Sequence, residues 1–209
     1  MEELFRGQLL DAIWAGDLGA VQRALDAAPG AASSRGPDGV SAVLTARYRG
    51  HHEIVETLIR AGCDLDVFDA AALGRVGHLD VMLSLDPALA TGWATDGFYP
   101  LALAAFYGQH AALQRLLAAG AGIQINEPSR NPMRVATIHA AVASRSLEVV
   151  EAVIAAGADV NARQQGEFTA LHEAVHTGSR EIEALLLAHG ADPGALDAEG
   201  RRPERLRSA

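Results

Sequence analysis

The chain has 209 residues, 49% of them hydrophobic, with 17 basic against 26 acidic residues, a formal charge of -9 and a pI near 5.3. That is enough apolar content for one ordinary domain or two small ones, and the basic residues, all arginine, are scattered, which argues against nucleic acid or an anionic membrane as partner. One cysteine, Cys63, excludes an internal disulfide; the opening "MEELFRGQLLDAIWAG" has acids and no unbroken apolar run, and no segment nears the roughly 18 to 20 apolar residues of a membrane span, so a cytoplasmic protein is expected.

The predicted elements are helix pairs. "LLDAIWAGDLGAVQRALDAAPG" (9–30) supplies the first, broken at Gly16, with Val21 and Leu25 as the apolar stripe of its second helix. "SAVLTARYRGHHEIVETLIRAGCDL" (41–65) supplies the second, broken at Gly50 and closed at Gly62. "VFDAAALGRVGHLDVMLSLDP" (67–87) is a degenerate third, broken at Gly74. "YPLALAAFYGQHAALQRLLAAGAGI" (99–123) is the fourth, with Leu113, Leu116 and Leu117 as its stripe. "ATIHAAVASRSLEVVEAVIAAGADV" (136–160) and "TALHEAVHTGSREIEALLLAHGADP" (169–193) follow, broken at Arg145 and Gly178. The stripes recur at i, i+3, i+4 and stop at Gly62, Gly120, Gly157 and Gly190, where a residue free to adopt positive φ ends the helix.

The breaks at 16, 50, 74, 108, 145 and 178 are spaced 34, 24, 34, 37 and 33 residues apart. The short interval cuts the hairpin between pairs two and three to roughly "AGCDLDV", and the long one marks an insertion, "NEPSRNPMR" (126–134). Small residues in the first helices (Ala104, Ala105, Ala141, Ala174) let neighbouring pairs approach closely. One pair cannot bury its own apolar face, so the pairs must stack. The expected architecture is all-α: a single solenoid over 1–209 with units near 4–37, 38–66, 67–95, 96–133, 134–163 and 164–195. The polar stub 196–209, ending "DAEGRRPERLRSA", caps its open end.

"TALHEAVHTG", "ATIHAAVAS" and "YPLALAAFYG" resemble the T-P-L-H-x-A-A-x-x-G signature of ankyrin repeats, and "GADVNAR" and "GADP" resemble the family's hairpin. The stretch 68–87, with "DGFYPLALAAFYG" and "NPMR", looks like a group of stand-alone bacterial ankyrin-repeat proteins. The resemblance implies a non-catalytic protein-protein interaction module, with ligands along the surface made by hairpin tips and first helices.

One motif points elsewhere. His172-Glu173-Ala174-Val175-His176 reads H-E-x-x-H, two histidines one helical turn apart with a glutamate to activate a metal-bound water, which would make a zinc-dependent hydrolase. A third ligand is missing, since Ile182 and Ser179 stand where one zinc-protease variant needs His and Gly. The ankyrin reading instead makes His172, like His139, a turn-holding residue and His176 a surface one. Cys63 fills an alanine slot, and "AAGAG" (118–122) lacks the Lys-Ser/Thr of a phosphate loop, so neither a catalytic set nor a cofactor is expected.

The slots that face partners in the family hold Trp14; Val40, Tyr48 and Arg49; Phe98, Phe106 and Tyr107; Val135, Ala143 and Ser144; and Phe168, His176 and Thr177. Aromatic residues are only 5% of the chain, so their concentration there points to an unidentified protein partner. Phe98 and Phe168 suit packing between hairpins equally well, and Trp93 suits either role. In the insertion, Arg130 and Arg134 form a basic spot fitted to a carboxylate or an acidic partner loop, which leaves open a regulatory or small-ligand role for that loop; the alternative is a longer hairpin with no function. A monomer is expected, with self-association through the solenoid ends left open.

Overall fold

A computed structural model describes residues 2–207. Its helices are α1 (Glu2–Ala15), α2 (Leu18–Ala27), α3 (Ala42–Tyr48), α4 (His52–Arg60), α5 (Val67–Ala72), α6 (Val76–Leu85), α7 (Pro100–Phe106), α8 (His110–Ala118), α9 (Thr137–Ala143), α10 (Leu147–Ala155), α11 (Ala170–His176) and α12 (Arg180–Ala188). Short 3-10 turns lie at Pro29–Ser33, Pro87–Thr91, Ala121–Gln124, Gln165–Glu167 and Pro203–Leu206. Among the described residues there is no β-strand, only isolated bridges joining Arg35 to Ser41 and Arg163 to Thr169. The chain is an all-helical repeat protein.

Local chemistry sets the helix ends. Asp17 accepts from Ala20 N at 2.9 Å to start α2, Ser41 Oγ accepts from Leu44 N at 2.9 Å to start α3, and Pro100 opens α7. The turn inside each pair needs one residue with positive φ, which glycine supplies at no steric cost. Gly178 has φ 68°; at the same place in the fifth pair Arg145 is held at φ 58°. Where the hairpin between pairs two and three is shortened, Asp66 replaces it as a cap, its Oδ1 accepting from Phe68 N at 2.8 Å and Asp69 N at 2.9 Å.

The residues gather into two compact units: those up to Asp69 with Ala94–Asp96, and Ala70–Trp93 with those from Gly97 on. In the first, α1 packs on α2 and α3, and α4 on α2 and α3, around Leu9, Ile13, Val21, Leu44, Val55 and Leu58. In the second, α7, α9 and α11 form one layer and α6, α8, α10 and α12 the other. Leu101, Leu113, Leu116, Ile138, Val149, Val153 and Leu186 fill the space between, each at 1% exposure or less. Burial of such a side chain contributes about 1.5–3 kcal/mol. Ala104, Ala105, Ala141 and Ala174 are fully buried, so the seven-residue helices of the first layer approach at the distance a methyl group allows.

Hairpins in the second unit are also stitched to one another. Asn126 accepts from Asp159 N at 2.7 Å and donates to Gly157 O at 3.1 Å; Asn161 repeats this with Asp192 N at 2.8 Å and Gly190 O at 2.9 Å. Each amide thereby satisfies a helix-end carbonyl that would otherwise lack a partner. At the far end, Pro203–Leu206 packs against α11. Ser208 and Ala209 of the expected cap lie outside the described residues.

α1 starts at Glu2, close to the expected start of the first unit near residue 4 and ahead of the 9–30 segment, and is twice as long as α3, α7, α9 or α11. Later first helices are stopped upstream by a hairpin and an extended cap residue, and "EELFRGQ" contains no such stop.

Candidate partner-binding site

His172 is fully buried and both its ring nitrogens are engaged. Nδ1 accepts from Thr169 Oγ1 at 2.8 Å and from Thr169 N at 3.2 Å, while Nε2 donates to the Arg201 carbonyl at 3.2 Å. His139 is held the same way, by Ala136 N at 3.3 Å and the Ala162 carbonyl at 3.0 Å. Burial lowers its pKa, so the neutral ring that makes these bonds persists. His172 therefore has no lone pair left for a metal; Glu173 is half-buried and His176 is exposed.

In the first unit, the ends of α1 and α3 present a mixed aromatic and charged surface. Trp14 is 55% exposed and Tyr48 40% exposed. The Arg49 guanidinium lies over the Trp14 ring, 4.6 Å from its centroid, and the Tyr48 hydroxyl donates to Asp96 Oδ2 at 2.6 Å. These contacts hold long side chains in place at the surface. Val40 is buried instead, 6% exposed, and serves the core.

At the other end of α3, around its capping residue Ser41, lies a group the sequence reading does not single out. Asp69 is fully buried, accepts from Ser41 Oγ at 2.5 Å and from Asp66 N at 3.1 Å, and sits beside Asp66, which pairs with Arg35 at 2.7 Å. Burial, and then the neighbouring Asp66 charge, push its pKa up to about 7, with the Ser41 bond opposing. Its one legible signal is an acid inside the otherwise apolar "VFDAAA".

In the second unit the same slots divide. Phe106 is 46% exposed and meets Tyr107 edge-on at 5.0 Å, and His176 and Ala143 are exposed. Tyr107 and Ser144 are half-buried, and Val135 is buried. Phe98 and Phe168 are half-buried; Phe168 lies against the His172 ring, 5.0 Å between centroids, so its first task is to cover that histidine. Trp93 meets the buried Tyr99 edge-on at 5.1 Å. Tyr99 donates to the Glu127 carbonyl at 2.7 Å, and burial pushes its pKa up to about 12, so it remains a donor. Arg130 lies over Trp93, 4.0 Å from the ring centroid, and Arg134 is exposed.

Comparison with known proteins decides the family. A model of three copies of the ankyrin repeat matches residues 101–197, and a model of a single ankyrin repeat matches residues 38–70. The chain is an ankyrin-repeat protein. No curated protein matches it. Ankyrin repeats are generally protein-protein interaction modules. Among the described residues no helix is long and apolar enough to cross a membrane, and no cluster of His, Cys, Asp or Glu is arranged to hold a metal ion.

Proposed function

We propose that this ankyrin-repeat protein is a non-catalytic, cytoplasmic, monomeric binding module. Its partner is another protein, and the contacts are made by the ends of first helices and adjoining hairpin tips within each unit. The observation that carries this reading is the exposure of Trp14, Tyr48 and Phe106 at the ends of first helices; in α7 every residue but Phe106 is buried, and in α3 every residue before the half-buried Arg47 is. Large aromatic side chains at a surface carry much of the binding energy of protein interfaces, and water exposure of that much apolar area is otherwise unfavourable. Arg49 over Trp14 adds a fixed cation in the first unit, and His176 and Tyr107 belong with Phe106 to the candidate residues of the second. The net charge of -9 and the scattered arginines support a protein rather than a nucleic acid as ligand.

The test is quantitative affinity capture with mass spectrometry, comparing wild type with Tyr48→Ala, Phe106→Ala and Tyr107→Ala combined. Circular dichroism should show the variant folded, and a partner enriched by wild type should be lost by roughly tenfold or more, as hot-spot truncation implies. Equal recovery of every enriched protein would overturn the assignment.

A further inference from the structure

The 126–134 insertion is exposed yet rigidly built. Ser129 N donates to Val135 O at 2.9 Å and Val135 N to Ser129 Oγ at 2.8 Å, which closes the loop at its base. Inside that closure Met133 N donates to Asn131 Oδ1 at 3.1 Å and Arg134 N to Asn131 O at 3.1 Å. The loop is also braced from both sides, by Arg130 N donating to Gly97 O at 2.8 Å and Gln165 N donating to Met133 O at 2.9 Å. Arg134 is held at φ 53°, a conformation that a side chain adopts only when its surroundings enforce it.

This scaffold presents Arg130, Met133 and Arg134 as exposed side chains. Met133 is 53% exposed. Arg130 and Arg134 stand one residue inside the bonded ends, on opposite limbs, and neither pairs with a carboxylate among the described residues. By contrast Arg163, on the next hairpin, is committed to Glu167 at 3.3 Å and to the Leu196 carbonyl at 2.9 Å. Arg130 is further oriented by the Trp93 ring. On a chain of net charge -9, residues 126–134 carry two arginines against one acid, Glu127, so the loop has a formal charge of +1 beside an exposed methionine.

We propose that the 126–134 loop is a second docking element, independent of the helix-end aromatics, for an acidic segment of a protein partner. Arg130 and Arg134 receive its carboxylates through forked N–H donors, and Met133, unbranched and adaptable, packs an apolar side chain next to them. Because the loop is ordered before it binds, little conformational entropy is lost on association.

The experiment uses the full chain and fluorescence anisotropy of three short labelled probes: a Glu/Leu peptide, its Gln/Leu isostere and an oligothymidylate. Wild type should prefer the Glu/Leu peptide, with affinity falling as salt is raised. Arg130→Glu with Arg134→Glu should weaken it by about tenfold or more, since two attractive pairs become repulsive. Met133→Ser should weaken it severalfold. Arg180→Glu and the Tyr48, Phe106 and Tyr107 alanine variant should bind as wild type, which separates this loop from the helix-end surface. Equal affinity for the Glu/Leu and Gln/Leu peptides, indifference to the double reversal, or tighter binding of the oligothymidylate lost in the same double variant would each overturn the proposal.

Discussion

Asp69 is the buried carboxyl of the first unit whose protonation folding alters. Its pKa is raised in the folded chain from an ordinary 3.8 to about 7, so folding favours the protonated carboxyl. The stability this contributes is fully present below the unfolded value and is lost as pH rises toward and through about 7. Asp66, Arg35 and Ser41 are the groups that face it. His139 acts in the opposite direction: its pKa is lowered from 6.5, so its contribution is present above that value and is lost as pH falls below it. Asp69→Asn should therefore raise stability near neutral pH and above, and leave a profile that declines only on the acid side. Urea unfolding from about pH 5 to about pH 8 reads both effects, and a wild-type profile already flat between those limits would contradict the assignment.

The two histidines of H-E-x-x-H give a second contrast at this scale. His172→Ala leaves Thr169 N and the Arg201 carbonyl unbonded and opens a cavity, at a cost of about 2–4 kcal/mol. His176→Ala removes an exposed side chain and should change stability by no more than about 0.5 kcal/mol. Chemical denaturation of the two variants distinguishes the roles directly. The histidine's structural role is legible in the sequence because the sister copy "ATIHAAVAS" repeats His139 without the second histidine. The role of Asp69 is not, because a single acid in a helix says nothing of how deeply it is buried until its neighbours are placed.

At the scale of elements, the repeat punctuation is readable and the loops between are not. Glycine marks five of the six breaks and closes four of the pairs, and the structure shows Arg145, at the remaining break, in the same positive-φ conformation. The insertion appears in the sequence as a lengthened interval, but its rigidity depends on Gly97 and Gln165, distant in the chain. Gly97 has φ 85°, and a Cβ there would meet Asn131 N at 2.8 Å, backbone that cannot swing aside. Gly97→Ala should cost about 2 kcal/mol or more by combining αL strain with that clash. It should also release the 126–134 loop, visible as faster amide hydrogen exchange at Arg130 and Arg134 with little change in helices α11 and α12. Unaltered exchange in that loop would show that Gly97 does not brace it.

For the molecule as a whole, stability in a stacked repeat is the sum of weak individual pairs and the interfaces between neighbours. We propose, from the unbroken repetition of helix pairs, that the chain unfolds as one domain. The two tryptophans provide separate probes, Trp14 in the first compact unit and Trp93 in the second. Fluorescence of Trp14→Phe and Trp93→Phe chains in urea should give coincident midpoints once each variant's own stability change is subtracted using circular dichroism. Separated midpoints would mean that the two units unfold independently.

The family, the helical class, the pairing of helices and the turn-holding histidine were all determined by the sequence alone, because each rests on local spacing repeated from copy to copy. Repetition turns a weak local signal into a strong one, and backbone sterics at glycine and at small residues act over a few residues only. Tertiary structure alone decided the burial of Asp69 and Val40, the covering of His172 by Phe168, and the placing of arginines over Trp14 and Trp93. Those depend on residues far apart in the chain meeting in space, and on how much water each side chain loses when they do.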